Sequence, residues 1–105
     1  MSWTPLLPVS ELYLGDATPV TLDGHDFAIF DTTDGLRVSD NRCTHAGAGL
    51  CDGYFDGRHI ECPLHQGLFD ARTGKALAAP VSRDLKMYPT RVMDDMVEIL
   101  SLIHI

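Results

Sequence analysis

The sequence predicts an all-β fold, a small antiparallel sandwich or barrel, and three observations carry that prediction. Short apolar segments alternate with the two-residue rhythm of half-buried strands. Asp-Gly recurs at 23–24, 34–35, 52–53 and 56–57, and such pairs supply the positive φ angles that tight hairpin turns require. No stretch keeps a helical period for three turns. The chain of 105 residues is one domain, 1–105, long enough to bury roughly 65% of its unfolded surface around one modest core.

Taken in order, Trp3 is expected to anchor a first strand on the core, and Val9 to Leu14 offers one helical turn at most. His25 to Asp31, "HDFAIFD", sends Phe27 and Ile29 to one face. Leu36 to Asp40, "LRVSD", puts Leu36 and Val38 inward and Arg37 and Ser39 outward. Gly53 to Cys62 reads as a hairpin turned at Asp56-Gly57, its second strand ending on a cysteine. Leu68 to Asp70 is a short strand turned by "ARTG" at 71–74. "DLKMYPTRVM" (84–93) and "MVEIL" (96–100) form a closing pair joined at Asp94-Asp95.

Composition narrows the function. The net charge is −7, from 15 acidic and 8 basic residues, which disfavours nucleic acid and anionic membranes as partners. No apolar run approaches the 18 or more residues of a membrane span, and the start, "MSWTP", lacks the basic and apolar regions of a secretory signal. A cytoplasmic, reducing setting is expected. Three cysteines in such a setting favour a metal or redox site over a disulfide scaffold.

All three lie in one stretch, "CTHAGAGLCDGYFDGRHIECPLHQG" (43–67). Two words end it: Cys43-Thr44-His45 and Cys62-Pro63-Leu64-His65. Both fall at turns after strands, so two loops together offer two thiolates and two imidazoles. That donor set admits a tetrahedral zinc ion or a [2Fe–2S] cluster in which two histidines replace two cysteines on one iron. Zinc fingers pair like ligands on each arm, whereas each loop here contributes one of each, which suits the two-iron cluster. Pro63 and Gly67 suit a tight loop whose N–H groups can point at sulfur.

"CTH", sixteen residues, then "CPLHQG" resembles the Rieske signature. "DGYFDGRHIECPLHQGLFDARTGKALAAPV" is similar to the Rieske ferredoxins of bacterial aromatic-ring-hydroxylating dioxygenase systems, of the naphthalene and biphenyl types, and the likeness runs from about Val20 to Leu100. The resemblance implies three small antiparallel sheets with a cluster-binding subdomain, about 41–80, at one tip. It implies one [2Fe–2S] cluster, with Cys43 and Cys62 on the inner iron and His45 and His65 on the outer. It also implies a loop near Pro80 covering the cluster's flank.

High-potential respiratory Rieske proteins carry an extra cysteine in each ligand loop, joined by a disulfide; Pro63 and Leu64 leave no partner for Cys51. Packing as a small hydrophobe is the expected role of Cys51. The respiratory proteins also place Ser and Tyr hydroxyls near a cluster sulfur, where this chain has Gly67 and Phe69. Both absences imply a low potential. His25, His59 and His104 are expected to be solvated or hydrogen-bonded surface groups.

There is no Gly-rich nucleotide fingerprint, no H-E-x-x-H and no room for an oxygenase iron domain. The implied function is therefore electron carriage, not catalysis. A monomer takes single electrons from an NAD(P)H-dependent flavoprotein reductase and passes them to the Rieske centre of a terminal dioxygenase. The alternatives are a small Rieske subunit of an assimilatory nitrite reductase or another oxidoreductase, and a zinc-stabilised interaction module. His45 and His65 are expected at an exposed, uncharged tip bordered by Ala46, Gly47, Leu64, Gln66 and Pro80.

Overall fold

The computed structural model describes residues 2–44, 47–64 and 66–101. In chain order the strands are β1 (Ser2–Pro8), β2 (Ala17–Leu22), β3 (His25–Thr32), β4 (Gly35–Asp40), β5 (Tyr54–Phe55), β6 (His59–Glu61), β7 (Leu68–Asp70), β8 (Ala76–Ala78), β9 (Met87–Tyr88), β10 (Thr90–Met93) and β11 (Met96–Ser101). Single 3₁₀ turns occupy Val9–Glu11 and Leu50–Asp52. The strands make three antiparallel sheets, ordered β1-β11-β10, β2-β3-β4-β9 and β5-β6-β7-β8. The all-β, three-sheet expectation holds.

β3 explains how the sheets pack. Its alternation sends Phe27 and Ile29 to one core, with Val38, Tyr88, Val97 and Ile99. Ala28 and Phe30 go to a second core, with Leu50, Phe55, Ile60, Phe69, Cys43 and Cys62. The four residues Phe27 to Phe30 are all 0% exposed, so the strand is buried on both faces and reads as a continuous apolar run. Each phenylalanine so buried stabilises the fold by about 1.5–3 kcal/mol relative to an exposed one. The same double coverage corrects one expectation. Ser39, placed outward by alternation, is fully buried, and its hydroxyl donates to the Asp40 carbonyl at 2.9 Å.

Other departures have local causes. The 84–93 segment is two strands in different sheets, β9 on β4 and β10 on β11, because Pro89 between them has no N–H for a ladder. Asp52-Gly53 is not a positive-φ turn: Gly53 has φ −88° and closes the 3₁₀ turn. Glycine is needed there because a Cβ would sit 1.8 Å from the Glu61 carbonyl oxygen. Asp23-Gly24 and Asp94-Asp95 do form tight turns, with φ of 51° and 79°, and 51° and 62°. Trp3 is half-buried and carries the Arg91 guanidinium 4.3 Å from its ring centroid, while Leu6 and Leu7 fix β1 to the core.

Candidate metal centre

The chain from Asn41 to Gly67 leaves the end of β4, runs through β5 and β6, and turns back into β7. It forms two loops against the second core. In the first, the Cys43 N–H donates to the Ala48 carbonyl at 2.8 Å and the Gly47 N–H to the Cys43 carbonyl at 2.9 Å. Gly47 takes φ 72°, closing the loop. In the second, the Cys62 N–H donates to the Gly67 carbonyl at 2.8 Å, and Gln66 takes the left-handed φ of 58°. Asn41 ties the start of the first loop to the 3₁₀ turn at its end, its side-chain oxygen accepting from the Cys51 N–H at 2.9 Å.

The segment after β8 touches both loops. Val81 packs where a side chain at Gly67 would go, 2.5 Å from the position of its absent Cβ. Two residues on, the Arg83 carbonyl accepts the Thr44 hydroxyl at 2.7 Å. One short stretch thus braces the loop of Cys43 by a hydrogen bond and the loop of Cys62 by contact. The sequence points only to a loop near Pro80 and gives no role to Thr44, Val81 or Arg83. The position of Thr44 inside the C-T-H word is the one signal available for it.

Cys43 and Cys62 are each 1% exposed and lie in the same core. Burial pushes the Cys62 thiol above its ordinary range; a hydrogen bond with the Cys43 thiol acts the same way, and the Leu64 N–H opposes both. Two buried thiols side by side, one receiving a backbone N–H, fit a metal–sulfur group, because metal binding displaces the protons that burial holds in place. His45 and His65, the other two expected ligands, lie outside the described residues, as do Ala46 and His104. Among the described residues no three His, Cys, Asp or Glu side chains converge on one point.

Cys51 is half-buried against the second core, and its thiol is pushed up to about 12 by burial first and then by Asp52 and Asp16. That is the behaviour of a packing residue. His25 is hydrogen-bonded: its Nε2 lies 2.7 Å from Asp40 Oδ1, which also accepts the Tyr88 hydroxyl at 2.6 Å. His59 pairs with Asp56 at 3.1 Å. Gly47, Leu64 and Gln66 are exposed and Pro80 is half-buried. The rim is not uniformly uncharged, however: Arg42, Arg83 and Lys86 flank the first loop.

Among the described residues no helix is long and apolar enough to cross a membrane. The family of Rieske [2Fe–2S] domains matches residues 2–89. The ferredoxin component of the naphthalene 1,2-dioxygenase system of Pseudomonas putida is 44% identical over 92 residues, 88% of each chain. A ferredoxin of Sphingomonas yanoikuyae B1 superposes with a TM-score of 0.86 at 37% identity, over 93% of this chain and 97% of that one. A chain from the complex of reduced oxygenase and oxidised ferredoxin in carbazole 1,9a-dioxygenase gives 0.83 at 28% identity, over 92% and 91%. With its paired buried cysteines on two braced loops, the chain belongs to the Rieske [2Fe–2S] family, among the ferredoxin components of dioxygenase systems.

Proposed function

We propose that this protein is a cytoplasmic, monomeric electron carrier and not itself an enzyme. It takes single electrons from an NAD(P)H-dependent flavoprotein reductase and gives them to the Rieske centre of a terminal aromatic-ring dioxygenase. The observation that carries the reading is the pair of buried thiols, Cys43 and Cys62, delivered by two separate loops to one core. The ferredoxin kinship of the chain favours this role over a nitrite reductase subunit or a zinc module.

Within the single domain, the subdomain at about 41–80 would hold the cluster, with Cys43 and Cys62 on one iron and His45 and His65 on the other. A cluster of this ligation supplies a one-electron couple without protein-based chemistry. The residues of the chain do the rest. Leu50, Phe55, Ile60 and Phe69 surround the cysteine side with apolar groups and exclude water. The Leu64 N–H stabilises negative charge on the Cys62 sulfur. Thr44 and Val81 hold the two loops in register through one shared segment.

Reconstitution tests the proposal. The iron-loaded protein, mixed with the reductase and terminal oxygenase of the naphthalene system, should be reduced by NAD(P)H through the reductase and should support product formation. Omitting it should abolish turnover. A colourless zinc protein, or one that the reductase leaves oxidised, would sink the reading.

A further inference from the structure

A cleft beside the first ligand loop departs from the charge of the rest of the chain. Cys43 and Thr44 line it together with Arg42, Arg83 and Lys86. These are three of only 8 basic residues in a protein with 15 acidic ones. All three are exposed, and among the described residues none of them enters an ion pair. Two acids line the cleft as well, Asp40, which accepts from Tyr88 and lies against His25, and Asp84, which accepts the Ala76 N–H at 2.9 Å, so the cations outnumber them three to two.

Two of the cations have packed side chains, and the third has a fixed main chain. The Arg42 guanidinium lies over the Gly47 backbone, 3.3 Å from where a Cβ would stand. The Arg83 main chain is tied to Thr44, and the Lys86 ammonium sits 5.2 Å from the Tyr88 ring centroid. They come from two segments and spread along an open cleft instead of meeting at one buried point. That layout suits several carboxylates on a protein surface better than one small anion.

We propose that this cleft is a docking surface for an acidic patch on a redox partner. It seats carboxylates against Arg42, Arg83 and Lys86 and so brings the partner up to the loop of Cys43. The inference rests on the carrier role proposed above. It adds that the contact is two-sided in chemistry: cationic beside the first loop, and uncharged beside Leu64 and Gln66 of the second.

Lysine chemistry gives a direct test, since the chain has only two lysines, Lys75 and Lys86. Iron-loaded protein is treated with a water-soluble carbodiimide in the presence of the reductase or the oxygenase of the naphthalene system. Amide links to partner carboxylates are then mapped by mass spectrometry. Lys86 should link to at least one partner well ahead of Lys75. In parallel, Arg83→Glu/Lys86→Glu should raise the carrier concentration needed for half-maximal rate with that partner by about three- to ten-fold. Arg37→Glu/Arg58→Glu, with the same change in net charge, should move it far less. Cluster absorbance confirms that each variant is loaded. No Lys86 link, with equal effects of the two double variants, overturns the docking surface and leaves the carrier role standing. A Lys86 link without electron transfer keeps the surface and overturns the carrier role.

Discussion

The loop of Cys43 and the loop of Cys62 are held in place by different physics. The Cys43 loop is polar: its brace is the 2.7 Å hydrogen bond from Thr44 to the Arg83 carbonyl, and its flank carries three cations. The Cys62 loop is apolar: its brace is the bare backbone of Gly67 against Val81, and its exposed side chains include Leu64, which is 48% exposed. A polar brace tolerates small displacements, because a hydrogen bond bends. A steric brace does not, because close-packed atoms leave no room. The first loop is thus suited to charge recognition, and the second to fixing position.

The largest effect should come from the donors the two loops share. Cys43→Ala or Cys62→Ala should each abolish the cluster, read as loss of the visible absorbance and of bound iron, because metal binding and folding are coupled in small domains. Full iron loading in either variant would break the assignment of both loops to one centre.

Next should come Gly67→Ala, which drives a methyl group into Val81 and should cost about 1–3 kcal/mol by overpacking. Thr44→Val keeps the shape but removes the hydroxyl, and should cost only about 0.5–1.5 kcal/mol. Thermal denaturation of the loaded proteins compares them directly. If Thr44→Val proved the more damaging, the contrast between a rigid and a compliant loop would be wrong.

The potential sharpens the comparison on the second-loop side. With Gly67 and Phe69 in place of hydroxyl donors, the midpoint should lie near about −150 mV. Phe69 is fully buried in β7, in the same core as both cysteines. Phe69→Tyr should raise the midpoint by roughly tens of millivolts where the phenol reaches a sulfur. Voltammetry giving a wild-type midpoint above zero would contradict the low-potential reading.

The smallest effect belongs to Cys51. Cys51→Ala should retain a full cluster, and alkylation of Cys51 at pH 8 should be slow in the native protein, because a thiol at about 12 offers almost no thiolate. Its folded value is raised above that of the unfolded chain. Whatever stability this contributes is complete below the ordinary thiol range and is lost as pH rises from there toward about 12. Cluster loss in Cys51→Ala would make it part of the centre.

Much of this was legible in the residues. The meeting of Cys43 and Cys62 in one core was legible because few sequences set cysteine at that spacing beside histidine on two turns. Asp23-Gly24 and Asp94-Asp95 mark their hairpins because local backbone preference decides those turns. Ser39 and the double burial of β3 were missed for the opposite reason: they depend on a third sheet closing over a face that alternation alone assigns to water. The Thr44–Arg83 bond joins residues 39 positions apart, and no local pattern encodes such a pairing. The basic cleft was hidden by the net charge, since a total of −7 says nothing of where the few cations gather.

β3 is a party wall. Phe27 and Ile29 furnish one room and Ala28 and Phe30 the other, so the half that holds Cys43 and Cys62 and the terminal half of the protein have no separate frameworks. Neither half can open without exposing a strand the other needs. Damage at the far sheet of β1, β10 and β11 should therefore reach the cysteines as a loss of cooperative stability, although among the described residues none of that sheet stands beside them in their core. An electron carrier thus keeps the loops of Cys43 and Cys62 rigid by making the whole domain their foundation.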